Sequence, residues 1–252
     1  MASINSLKST EREEAIASFG WPGVLRDLDE LLKSHAPPTA SPPRHLPISA
    51  FHVPETQLAR RVHEYARVEL STPTFHHCMR VFYYGQAILT HLFPTWSTPS
   101  FNETYFLTCL LHDIGTTEKN LHATLLSFEF YGGFLALDAL RREGAPQAQA
   151  ESVAEAVIRH QDIGHEGVLS RIGALIQLAT IFDNMGGNPD IVNTKTIEDV
   201  VALYPRLKWS SCFAATIREE NSLKSWSNSR RLGERAFPEG VENNSLMAPY
   251  DG

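Results

Sequence analysis

The chain has 252 residues, 42% of them hydrophobic, enough to bury a substantial core in one large domain or two small ones. Its 22 Lys and Arg are outnumbered by 29 Asp and Glu, giving a net charge of -7, which argues against a broad surface for nucleic acid or an anionic membrane and favours a small, weakly charged or neutral ligand. Cys78, Cys109 and Cys212 are odd in number and widely spaced, so neither a disulfide framework nor a cysteine zinc knuckle is expected.

The opening MASINSLKSTEREEA lacks the apolar core of a signal peptide, and no stretch approaches the length of a membrane span, so a soluble, cytoplasmic protein is expected. Residues 1–54 are predicted as a helical prelude followed by a proline-rich strap. Thr10 and Glu13 have capping-box spacing at the start of a helix that is interrupted around Gly20-Trp21-Pro22-Gly23 and resumes through VLRDLDELLK. The proline density of residues 36–54 then predicts an extended segment.

Residues 55–226 are predicted as a helical core. Leu58, Val62, Tyr65 and Val68 form an apolar stripe over residues 55–70, and Ser71-Thr72-Pro73 punctuates the next start. Further helices are expected over residues 74–93, 102–113, 121–142, 146–161, 168–184, 196–203 and 211–226. Ser100 and Glu103 have capping-box spacing, Pro146 suits a first helical turn, and no alternating strand is visible. Residues 227–252 lack periodicity and are predicted as an irregular tail, loose or packed over the surface. The fold class is therefore all-α.

Four residues of metal-binding type stand out: His77, the adjacent pair His112 and Asp113 in LLHDIG, and Asp183. Two imidazoles and two carboxylates suit a borderline or fairly hard divalent ion such as zinc, iron or manganese, with a coordination position left for water or substrate. His77 shares a helical face with Val81, Tyr84 and Ile88, an inward stripe, whereas His76 shares its face with Arg80 and Tyr83, a rim. Asp183 falls on the stripe of Ile172, Ile176, Ala179 and Thr180, where an unpaired carboxylate would be costly. Each residue alone is as well read as a satisfied core or surface group; the combination points to a metal site.

His160 also faces inward, beside Val153, Ala156 and Val157, as a ligand, a proton relay or a core histidine. His165 lies beyond the break at Gly164 and is placed on the rim, with a second metal held by His160 and His165 as the alternative. Lys119 is the nearby cation in the loop after the His-Asp pair, with a solvated lysine as the plainer reading.

The order His77, His112-Asp113, Asp183 on successive helices resembles the HD-domain superfamily of metal-dependent hydrolases. The segments TFHHCMRVFYYG, LLHDIGTT, IRHQD, QLATIFDN and LMAPYD look like fungal cyanamide hydratases, over about residue 55 to the end of the chain. The resemblance implies an HD-domain helical bundle around a buried metal, zinc or alternatively iron, held by His77, His112, Asp113 and Asp183. It implies hydration of the nitrile of cyanamide to urea by a metal-bound water, with Asp113 in the catalytic centre. His160 would transfer a proton or orient the substrate, Thr180 would hydrogen-bond substrate or water or else its own helix backbone, and His165 and Lys119 would line the substrate site. A homo-oligomer is the expected state, with no nucleic-acid or membrane partner. The competing enzyme class is phosphohydrolysis of a nucleotide or other small phosphate ester. A third reading, a structural metal clamp, fits poorly because structural zinc sites are usually closed and often cysteine-rich.

Overall fold

In the computed structural model, which describes residues 9–35 and 41–252, α-helix dominates, as the 3.6-residue periodicity requires. The helices in chain order are α1 (Ser9–Ser18), α2 (Leu28–His35), α3 (Gln57–Glu69), α4 (Thr72–Leu92), α5 (Pro99–Leu111), α6 (Glu118–His122), α7 (Phe128–Arg142), α8 (Gln147–Arg159), α9 (Arg171–Met185), α10 (Thr194–Leu203), α11 (Trp209–Leu223) and α12 (Ala236–Glu242). Side-chain oxygens of Thr56, Ser71, Thr98 and Ser170 accept from backbone N–H groups three residues on and so fix the starts of α3, α4, α5 and α9. The cap of α5 is Thr98 rather than the expected Ser100, and Glu103 instead engages Thr56 and Gln149.

Every residue of α4 from His77 to Leu89 is buried. That helix is apolar nearly all round, so it forms the centre of the bundle, packed against α9, α5, α10, α11 and α3. The α7–α8 hairpin closes the far side of α5 and α9. A smaller cluster built from Trp209, Phe213, Ala214, Ile217, Phe237 and Val241 joins α11 to α12 beside the main core.

The structure departs further from the sequence-based expectation, and the helix expected through VLRDLDELLK begins only at Leu28. A short antiparallel pair, β1 (Gly23–Leu25) and β2 (Val168–Ser170), sets Gly23 opposite Ser170; three residues are too few for alternation to show in the sequence. The helix expected over 121–142 is broken between α6 and α7, because Trp226 and Lys224 donate to the carbonyls of Leu125 and Leu126 at 2.8 and 2.7 Å in place of a helical partner. The tail expected to be irregular contains α12 and buries Phe237, Val241 and Met247. Of the strap, residues 36–40 lie outside the described residues, while Leu46 is pinned by its N–H to Thr196 at 2.8 Å. Among the described residues no helix is long and apolar enough to cross a membrane.

Candidate metal centre

His77 projects from α4, and α5 delivers the second and third groups. That helix ends at Leu111; His112 keeps helical angles, and Asp113 leaves them at φ -103° and ψ 13°. A 3-10 turn over Ile114–Thr116 follows, in which Gly115 is obligatory because a Cβ there would overlap the carbonyl oxygen of Phe128. Nε2 of His77 lies 3.2 Å from Nε2 of His112, and Oδ2 of Asp113 lies 3.6 and 3.3 Å from these two nitrogens. All three residues are buried.

The protonation of each ring follows from what its other nitrogen faces. Nδ1 of His77 donates to Oδ2 of Asp183 at 2.6 Å, and Nδ1 of His112 donates to the Cys109 carbonyl at 2.8 Å. Nδ1 of His160 donates to the Val157 carbonyl at 2.6 Å. In the neutral form of each ring Nε2 therefore carries the lone pair, and the Nε2 atoms of His77 and His112 converge with a carboxylate oxygen. Among the described residues neither Asp113 oxygen nor Nε2 of His160 has a hydrogen-bond partner. With both rings neutral, three acceptors within 4.8 Å of one another repel unless a proton or a metal cation lies between them.

The electrostatics agree. Burial holds His77 down at about 4 against the opposing pull of Asp183, and burial holds His160 at about 4. Burial pushes His112 down too, but the adjacent Asp113 carboxylate outweighs it and raises the ring well above its ordinary value. Asp113 itself would be raised by burial, yet His112 and His77 hold it below the usual carboxylate range. Positive charge is thus favoured at His112 beside Asp113 and disfavoured on the His77 ring.

Asp183 does not face that point. Its Oδ1 accepts from Arg206 Nη1 at 2.7 Å and Arg80 Nε at 3.1 Å, and its Oδ2 accepts from Arg80 Nη2 at 2.9 Å as well as from His77. Its place beyond His77 suits it to orient that ring. Arg80, expected on a rim, is 0% exposed, because α4 has no solvent face at that level. Trp209 stacks on His77 with centroids 4.3 Å apart and donates its indole N–H to Asn184 at 2.7 Å.

His160 sits at the end of α8, its Nε2 3.8 Å from Oδ1 of Asp113. With Thr180, Asn184, Ile163, Leu232 and Phe237 it lines a cavity of about 20 Å³. Thr180 donates its hydroxyl to the carbonyls of Ile176 and Gln177 at 2.9 and 3.1 Å. His165 is exposed and paired with Asp27 at 2.8 Å, and Lys119 is exposed on α6, so neither reaches the cluster. A larger cavity of about 680 Å³ lies between residues 41–43 and 189–194 and contains none of the expected site residues. Sequence reasoning missed Arg206 and Trp209, which no periodicity marks as inward; only the stripe of Asp183, which demanded a partner, pointed toward a buried cation.

No family model matches the chain. Cyanamide hydratase DDI2 and cyanamide hydratase DDI3 of Saccharomyces cerevisiae are each 39% identical to it over 220 residues, 87% of this chain and 94% of theirs. With that identity over nearly the whole of both relatives, the chain belongs to the cyanamide hydratase family.

Proposed function

We propose that this protein is a hydro-lyase that adds water across the nitrile of cyanamide to give urea, using a divalent metal, zinc in the first instance, held by Nε2 of His77, Nε2 of His112 and Oδ2 of Asp113. The observation that carries the reading is the convergence of these three acceptor atoms, with Asp113 3.8 Å from His160, which lines a cavity of about 20 Å³. Three protein ligands leave a position for water or substrate, as catalytic zinc sites do. A bound ion would supply an acidified water and polarise the nitrile.

The chain's own residues supply the rest. Nε2 of His160, neutral because burial holds the ring near 4, accepts the proton given up by the attacking water and passes it to the nitrile nitrogen, giving isourea, which becomes urea when its hydroxyl proton moves to the imine nitrogen. Oδ1 of Asp113, 3.8 Å away, stabilises the imidazolium formed in between. The Thr180 hydroxyl spends its proton on its own helix, so its oxygen is left as an acceptor for the amino group of cyanamide. Asn184, whose side-chain oxygen accepts from Trp209, also lines the cavity, and its amide NH2 would serve as a donor to substrate. In place of a fourth ligand, Asp183 fixes the tautomer and orientation of His77.

Phosphohydrolysis fits less well. A phosphate needs cations around it, yet Arg80 and Arg206 are consumed by Asp183 and Lys119 is exposed. The test is urea release from cyanamide by purified protein, alone, after chelation, and after return of zinc, iron or manganese, with phosphate release from nucleotides measured in parallel. Metal-dependent urea formation is expected; phosphate without urea would overturn the reading.

A further inference from the structure

We propose that Asp251 is a positioning residue for the metal centre, acting through Arg206 and Asp183 on His77. The inference rests on the metal site proposed above. Arg206 donates from Nε to Oδ1 of Asp251 at 2.7 Å and from Nη1 to Oδ1 of Asp183 at 2.7 Å, and Asp183 in turn accepts from Nδ1 of His77 at 2.6 Å. The chain of contacts therefore runs without a gap from the segment after α12 to a metal-ligating ring.

Charge makes the link more than a tether. Arg80, Arg206 and Asp183 are all 0% exposed, so two guanidiniums share one buried carboxylate, and Asp251 is the second carboxylate that balances them. Without it, one buried positive charge stays uncompensated next to the place where a divalent cation must bind, in a medium that screens poorly. Asp251 also holds the other wall of His77. Its Oδ1 accepts the N–H of Ser210 at 3.3 Å and its carbonyl that of Lys208 at 3.2 Å, on either side of Trp209, whose indole lies over the imidazole. Asn244 and Met247 bring the segment into place: Asn244 donates to the Asp183 carbonyl at 3.0 Å, and Met247 is buried. Gly186 lets Asn244 approach, since it ends α9 at φ 67° where a Cβ would meet the Asn244 oxygen at 2.6 Å.

The test measures zinc affinity of the full chain by competition with a chromogenic chelator, alongside thermal melting, for wild type, D251N, D251E and the double variant R206Q/D251N. D251N is expected to bind zinc about 10- to 100-fold more weakly, the usual range for loss of a group behind a ligand. D251E should stay close to wild type, and the double variant, again charge-balanced, should recover most of the lost affinity. Wild-type zinc binding by folded D251N would overturn the proposal, as would a double variant that is folded yet binds no better than D251N. Should D251N not fold, the double variant and D251E carry the test alone. A wild-type chain that holds no zinc would overturn the metal site itself and this proposal with it.

Discussion

Replacing Asp183 with asparagine perturbs the centre without touching any of the three converging donors. Both guanidiniums that face Asp183 are buried, and the change leaves them opposite an uncharged amide. Removing one partner of a buried ion pair costs about 3–5 kcal/mol, a large part of the roughly 5–15 kcal/mol that holds a domain together. At about 2–4 °C per kcal/mol for a chain of this size, the melting midpoint should fall by about 6–20 °C. A second effect is chemical. An amide that presents its NH2 to Nδ1 of His77 reverses the tautomer and places the ring proton on Nε2, where it blocks ligation; the same change of carboxylate to amide behind a catalytic histidine costs about 10⁴ in rate in serine proteases. Melting by circular dichroism and zinc content by elemental analysis read the two effects separately. A D183N protein with full zinc content and a midpoint within about 2 °C of wild type would refute the role assigned to Asp183.

His160 and Glu129 give two further predictions. H160A should lower kcat by about 10²- to 10⁴-fold with zinc content unchanged, since Nε2 of His160 lies outside the three-donor cluster; a loss of zinc would make it a ligand instead. Burial, and then the Glu220 carboxylate, push Glu129 up to about 8. The native state thus keeps a proton that the unfolded chain releases near its ordinary value of about 4.3, so stability falls as pH rises between these two values. E129Q removes that slope: its melting midpoint should gain on wild type between pH 5 and pH 8, and a constant difference would refute the assignment.

The bundle itself was readable from periodicity and caps, and so was the inward face of His77, because Val81, Tyr84 and Ile88 repeat at helical spacing. The same reasoning misplaced Arg80. It lies four residues after His76 but also three after His77, and sequence spacing cannot tell a rim from a second buried face when the helix is enclosed on all sides. Asp183 was rightly read as buried, but the partner that resolves its charge sits partly in the loop before α11, where Arg206 has no periodic neighbours to mark it. Residues 227–252 looked irregular because α12 carries Pro238 and Gly240 and is only seven residues long, so its buried side chains trace no repeat. Thr180 bonds its hydroxyl to its own helix backbone and is also a lining residue of the cavity.

The dimensions of that cavity also bear on how a turnover ends. On the proposed reaction, the molecule that leaves is larger by one water than the molecule that arrived, in a space of about 20 Å³. The walls contributed by α8 and α9 belong to the main core, whereas Phe237 belongs to the smaller cluster between α11 and α12, with Leu232 packed against it. The smaller cluster buries fewer residues than the main core, and smaller units open at lower free energy. If product leaves between the two clusters, it would pass Leu232 and Phe237, and release past α12 would then share control of turnover with bond formation at the nitrile carbon.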